Sequence, residues 1–338
     1  MFKYIIAIGR YPTYQVFLTG ALTLILTILL TPLWIKISRA RNVGQIVRLD
    51  GPQGHLQKAG TPTMGGLFLL LNITLFYMLM ALPRGYSGVS VLALLTMLAC
   101  GLLGFLDDYS KVVGERSLGL LARTKLISQL AISILLGWGA INYCHLSTKV
   151  MIPLTRFNVD LGWGYYVFLF IIVASATNGV NLTDGLDGLA AGTVTIVMMA
   201  YAGIAFRQNR LDLAILCAAV GGACIGLLWY NAFPAEIFMG DTGSLGFGGA
   251  IAALAIVTKT ELLLVLIGGI YALETLSVII QIVSFKYFNG RRVFKMAPLH
   301  HHFEIQGWSE TKVMIRFWIV AAVLAGTGFA LYFGLAVK

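Results

Sequence analysis

The stretch VLALLTMLACGLLGFLDDYSK, residues 91–111, carries no charge for sixteen residues and then ends in two aspartates and a lysine. The apolar run around it, 89–106, is long enough to cross a bilayer as a helix. Comparable runs recur at 16–35, 64–82, 126–146, 163–180, 189–206, 213–230, 242–257, 262–285 and 315–335, making ten. The run at 242–257 is short and Gly-rich, which a membrane bundle accepts because small residues let helix backbones approach closely. Composition agrees: 58% of residues are hydrophobic and 11% charged, against ~25% charged in soluble domains. Mean hydropathy is +0.85. The sequence therefore predicts an all-α integral membrane protein, a bundle of about ten transmembrane helices in a single polytopic domain over residues 1–338. Fifteen ordinary residues without a cleavage signature precede the first run, so it reads as a retained span, not a signal peptide.

Ten spans place both termini on one side and five loops on the other: 36–63, 107–125, 181–188, 231–241 and 286–314. Counting Arg316 at the edge, these loops hold 15 of the Lys and Arg residues, and 9 lie elsewhere. The bias points the five loops to the cytoplasm and both termini outward. The net charge of +10 suits anionic lipid and anionic substrates. Nucleic acid is not indicated, because the basic residues are scattered without aromatic interleaving. Cys100, Cys144, Cys217 and Cys224 lie in or near spans and read as small buried hydrophobes, not as a disulfide framework.

The acidic residues are more polarised than the basic ones. Ten of fourteen fall in the five loops, Glu274 lies inside a span, and only Asp160, Asp212 and Glu261 face outward. Four of the five histidines, His55 and His300 to His302, lie on the loop side too. A transporter needs polar groups at the midplane, where this chain is nearly bare. Polar groups gathered at one surface suit chemistry on a membrane-embedded substrate from one side.

Five stretches carry that chemistry. In GFLDDYSK (104–111), helical neighbours differ by about 100° in direction, so Asp107 and Asp108 are expected to address different points. Lys111 shares a face with Asp107. The pair serves equally well as a cap in water. In TNGVNLTDGLDGLA (177–190), Asn178, Asn181, Asp184 and Asp187 recur every third residue along one side of a helical turn, or mark a polar helix end broken by glycines. In NAFPAEIFMGDTGSLG (231–246), Asp241 reads as an N-cap or as a ligand for a hard cation. Oxygen donors from three loops favour Mg²⁺ bridging to phosphate over zinc. In RRVFKMAPLHHHFE (291–304), zinc spacing is absent, and one or two histidines with Arg291, Arg292 and Lys295 are suited to hold phosphates or shuttle a proton. GPQGHLQKAGTPTMGG (51–66) presents His55, Lys58, Thr61 and Thr63 at the mouth of the second span, or is a solvated linker. Glu274 inside a span costs ~3 kcal/mol on insertion scales. With Gln281 on the same face, it is expected to point into the bundle.

Together, in this order, these five motifs resemble the phospho-N-acetylmuramoyl-pentapeptide transferase (MraY) family. The paired aspartates, the Asn-Asp and the Gly-Asp elements are shared with the wider superfamily of polyprenyl-phosphate hexosamine-1-phosphate transferases, whereas TPTMGG and PLHHHFE are specific to the narrower family. The resemblance implies transfer of phospho-MurNAc-pentapeptide from UDP-MurNAc-pentapeptide to undecaprenyl phosphate, giving lipid I and UMP with Mg²⁺, by a homodimer. It implies Asp107, Asp108, Lys111, Asp241 and His300 as catalytic, with Asp241 the Mg²⁺ ligand. Lys58, Thr63, Lys125, Asn178, Asn181, Asp184, Asn231, Phe238, His301 and His302 are implied in substrate binding. Leu118 departs from the pattern, since relatives often carry a basic residue there. Direct attack by the lipid phosphate is favoured, with Asp107 or Asp108 orienting it; the alternative is a covalent intermediate on Asp108. The rivals are a sister transferase using another UDP-sugar and a secondary transporter, for which Glu274 and Gln281 are a thin supply of midplane polarity.

Overall fold

The computed structural model describes residues 12–41, 44, 58, 60–114, 118–155 and 157–336; the expectation for His55 lies outside them. Helix α1 spans Pro12–Ala40, α2 Gly66–Ala81, α3 Gly88–Val113 and α4 Ala122–Trp138, the last continued by a π-helical turn at Gly139–Tyr143. Then come α5 (Gly164–Thr183), α6 (Leu189–Arg207), α7 (Leu211–Asn231) and α8 (Gly240–Val257). The chain closes with short α9 (Leu264–Ile267), α10 (Gly269–Tyr287), short α11 (Leu299–Ile305) and α12 (Glu310–Ala336). Among the described residues, nine helices are long and apolar enough to cross a membrane. The tenth expected span is α2, apolar but only 16 residues long.

Helical spans are forced by the solvent. A lipid-facing backbone must satisfy its hydrogen bonds internally, so the apolar runs coil and break at the punctuating residues. The expected span at 262–285 is split at Gly268 into α9 and α10. Two features were not expected from the sequence. A small antiparallel hairpin, β1 (Lys149–Met151) with β2 (Asn158–Asp160), projects between α4 and α5 with Lys149 opposite Asp160. Helix α11 forms within the last loop.

The short, Gly-rich run becomes the axis of the bundle. Every residue of α8 from Thr242 to Val257 is buried, and α8 packs most extensively on α3, then on α5 and α2. Close approach at its start depends on Gly104 of α3, where a Cβ would lie 2.0 Å from the Asp241 carbonyl oxygen. A second seam joins α1 to α7. Thr19, Thr23, Thr27 and Thr31 form a buried stripe on α1, and the hydroxyls of Thr23 and Thr31 donate to carbonyls one turn back at 2.7 Å. Without a hydrophobic drive between helices in lipid, such small-residue seams supply contact by close packing. Large apolar side chains point outward, among them Phe17, Leu71, Leu102, Val167 and Trp229.

The chain alternates direction, so the ends of α3, α5, α7 and α10 and the starts of α2, α4, α6, α8 and α12 lie at the same end of the bundle. The described residues of the polar motifs are all at that end.

Candidate active site

The centre of this end is three carboxylates. Asp107, Asp108 and Asp241 each offer an oxygen within 4.8 Å of the others. The expectation that the two neighbouring aspartates address different points holds in their partners, Asp107 turning to Leu120 and two lysines and Asp108 to the start of α8, while Asp241 of α8 draws both into one cluster. Asp241 is not an N-cap; it sits inside the first turn of α8, after Gly240.

The three differ in their partners. Asp108 is committed to the start of α8, accepting from the backbone N–H of Asp241 (3.1 Å) and Thr242 (2.9 Å) and from the Thr242 hydroxyl (2.8 Å). Gly240 has φ +71°, and a Cβ on it would lie 2.6 Å from Asp108 Oδ2, so glycine is what lets the carboxylate reach those amides. Asp107 accepts from Leu120 N–H at 2.7 Å and ion-pairs with Lys111 (2.6 Å) and Lys125 (3.1 Å). Asp241 shares both lysines, Lys125 at 2.9 Å and Lys111 at 3.0 Å. Asn181 donates to Asp241 Oδ1 at 2.8 Å and to Ser244 Oγ at 2.9 Å. Three carboxylates thus face two ammonium groups, leaving a surplus of negative charge that a hard cation would balance. Asp107 and Asp241 fit as its ligands, because each has one carboxylate oxygen engaged by lysine ammonium groups alone, whereas both Asp108 oxygens are taken by α8.

Several expected residues surround this centre. Thr63 lies beside Gly240, its Oγ1 3.2 Å from where a Cβ would stand. Phe238 is half-buried in the approach to α8, with its backbone bonded to Pro62 and Gly65. Asp184 closes the end of α5. Desolvation holds its carboxyl well above the usual carboxylate range, and the negative charges of Asp241, Asp108 and Asp187 add to the shift.

His300 is wholly buried, with Nδ1 3.1 Å from Glu274 Oε1. Glu274 Oε2 accepts from Leu299 N–H at 2.6 Å. The carboxylate fixes the Nδ1–H tautomer, and Nε2 has no hydrogen-bond partner among the described residues. That atom faces Gly185, where a Cβ would lie 2.4 Å away, one residue from Asp184. Glu274 and Gln281 do lie on the face of α10 that meets the protein. Gln281 accepts from Val293 and Phe294 N–H and donates to the Phe294 carbonyl, so both hold the His-bearing segment.

Other expected site residues are placed elsewhere. His301 bonds Glu304 at 2.6 Å, and His302 accepts from Lys295 N–H and meets Gln306. Asn231 is buried and braces Gly188 N–H and the Ile237 carbonyl. Asn178 donates to Gln129 and to the Ala174 carbonyl. Lys58 is held by Asp187 (2.6 Å) and Glu310 (2.5 Å) rather than by the three central carboxylates. Thr242, Ser244 and Glu310 were missed in the sequence. Thr242 and Ser244 were visible only as neighbours of Asp241, and nothing local marked Glu310 as the partner of a lysine 252 positions earlier.

Comparison with known proteins identifies the family. The family model described as glycosyl transferase family 4 matches residues 90–259, and phospho-N-acetylmuramoyl-pentapeptide-transferase signature 1 matches residues 58–70. The phospho-N-acetylmuramoyl-pentapeptide-transferase of Bacillus velezensis is 47% identical over 90% of this chain and 94% of its own. That of Desulfitobacterium hafniense is 47% identical over 92% and 96%. That of Geobacillus kaustophilus is 48% identical over 94% and 98%. With that identity running nearly end to end, the chain belongs to the phospho-N-acetylmuramoyl-pentapeptide-transferase family, multi-pass enzymes of the bacterial membrane.

Proposed function

We propose that the chain transfers phospho-MurNAc-pentapeptide from UDP-MurNAc-pentapeptide to undecaprenyl phosphate, releasing UMP and forming lipid I on the cytoplasmic face. The observation that carries this reading is the sharing of Lys111 and Lys125 between Asp107 and Asp241 at one end of a membrane bundle. Family membership supplies the substrates, and residues 1–338 act as one domain. A homodimer belongs to the same reading and is supported by the family resemblance alone.

Asp107 and Asp241 would hold Mg²⁺, which when bound neutralises the diphosphate and stabilises the leaving UMP. The chain's own groups do the rest. Lys111 and Lys125 provide the remaining positive charge where two anionic substrates must meet. Asn181 fixes the Asp241 rotamer, and Asp108 fixes the helix that carries it. A phosphate monoester has a second pKa near ~6 and is mostly dianionic at neutral pH, so the lipid phosphate needs little help as a nucleophile. Direct attack is favoured over a covalent route because Asp108 already accepts three hydrogen bonds, which makes it a poor nucleophile. His300 Nε2, facing the Asp184 turn, is placed to take up a proton there and, once protonated, to donate to a phosphate oxygen.

The test is UMP release by purified protein given undecaprenyl phosphate and Mg²⁺, comparing UDP-MurNAc-pentapeptide with UDP-GlcNAc. Turnover of the muramoyl substrate alone, abolished by Asp241→Asn and by chelation, is expected. Turnover of UDP-GlcNAc instead would move the reading to the sister transferases. UMP exchange without lipid acceptor would restore the covalent route.

A further inference from the structure

Beyond the end of α10 the chain forms a turn that the proposed reaction leaves unused. The outer face of the helix exposes Ile279, Ile280, Ile282 and Val283, and exposure continues through Phe285, Tyr287 and Phe288 to Val293. Interleaved with these are four exposed basic residues, Lys286, Arg291, Arg292 and Lys295. No acidic residue occurs from 275 to 303, and no carboxylate of the described residues pairs with any of the four.

The turn is built, not loose. Ser284 Oγ donates to the Arg291 carbonyl at 2.8 Å. Gln281 clamps Val293 and Phe294 through three hydrogen bonds, and Asn289 and Gly290 reverse the chain with φ of 52° and 77°. Lys286 lies 5.4 Å from the Tyr287 ring centroid, and Arg292 lies 5.9 Å from that of Phe285. The apolar face of α10 belongs in hydrocarbon. Where it stops, aromatic rings and unpaired cations begin together, and that is the composition favoured at headgroup depth.

We propose that Phe285–Lys295 is a docking surface for the phosphate headgroups of anionic phospholipids. Its charge is complementary to theirs, and it is continuous with the lipid-facing side of α10. Docking there would tie the His300 segment, held by the same α10 side chains, to the membrane surface. The inference rests on the membrane reading and not on the reaction, so it can fail while the transferase reading stands.

Native mass spectrometry of the full chain in detergent tests it. The protein is titrated separately with phosphatidylglycerol, phosphatidylcholine, UMP and inorganic phosphate, alongside a variant with Lys286, Arg291, Arg292 and Lys295 all changed to Gln. The wild type is expected to prefer phosphatidylglycerol at least tenfold. The variant should bind the two lipids about equally, with up to about fivefold of the preference lost per neutralised charge. Equal binding of the two lipids by the wild type would overturn the proposal, as would an undiminished preference in the variant. Loss of UMP or phosphate binding with lipid binding unchanged would instead assign these charges to the nucleotide substrate. If the quadruple variant does not fold, Arg291→Gln and Arg292→Gln read the same surface singly, each with the same fivefold loss expected.

Discussion

Asp108 of α3 caps the helix that carries Asp241, its Oδ1 accepting the Asp241 backbone N–H at 3.1 Å. The two residues are 133 positions apart, and the bond joins the two most extensively packed helices of the bundle at the site itself. One carboxylate thus sets the position of the other, and the stability of the bundle and the geometry of the site meet in the same contact.

Asp108→Ala removes the acceptor for two backbone amides and one hydroxyl. Leaving them unpaired is expected to cost about 1–3 kcal/mol and to lower turnover at least ~100-fold by displacing Asp241. Thr242→Val leaves the two amide bonds in place and is expected to cost only ~1 kcal/mol. Thermal unfolding in detergent, read beside UMP release, separates the two variants.

Gly104→Ala puts a methyl group 2.0 Å from the Asp241 carbonyl oxygen. The helices must part, so destabilisation of about 1–3 kcal/mol and a large loss of turnover are expected. Gly326→Ala on α12 meets open space and should be neutral or slightly stabilising. Equal behaviour of the two variants would rule out close packing as the reason for glycine at 104.

Glu274 acts on the site through His300. Glu274→Ala leaves the buried imidazole without its acceptor and is expected to lower kcat about 10- to 100-fold, with KM for the nucleotide substrate little changed. Glu274→Gln keeps the shape and an acceptor oxygen, and should recover part of kcat. A rise in KM with kcat intact would place His300 in nucleotide binding instead.

Asp184 sets a pH dependence whose sign follows from its raised carboxyl pKa. The folded state binds the proton more tightly than the unfolded chain. The group therefore penalises folding as pH rises above the ordinary carboxylate range, and the penalty grows until the raised value is passed. Asp184→Asn removes that penalty, so its melting temperature should exceed that of the wild type at neutral pH. The two should converge as the pH falls toward 4. Melting curves across this range, without Mg²⁺, check it.

Much of this protein is written locally. Uninterrupted apolar length determines a helix in lipid, because no other conformation satisfies the backbone there, so the membrane helices and one polar end could be read from residue order, although α2 falls short of a full span. The carboxylate, amide and histidine motifs were legible for the same reason: against an apolar background each polar residue is conspicuous.

What the sequence did not determine is which polar residues meet. Spacing placed Asn178 with Asn181 and His300 with His301 and His302, yet only Asn181 reaches Asp241 and only His300 is buried against the Asp184 turn. Helix rotation and the depth of packing decide these outcomes, and both depend on glycines in partner helices. The short, Gly-rich run became the buried axis because its many small residues let three neighbours close around it. Lys58 was drawn to Asp187 and Glu310 because the ends of distant helices brought two carboxylates within reach of one ammonium. Local periodicity encodes which face a helix can bury, but the partner that covers it is chosen only when the whole bundle packs.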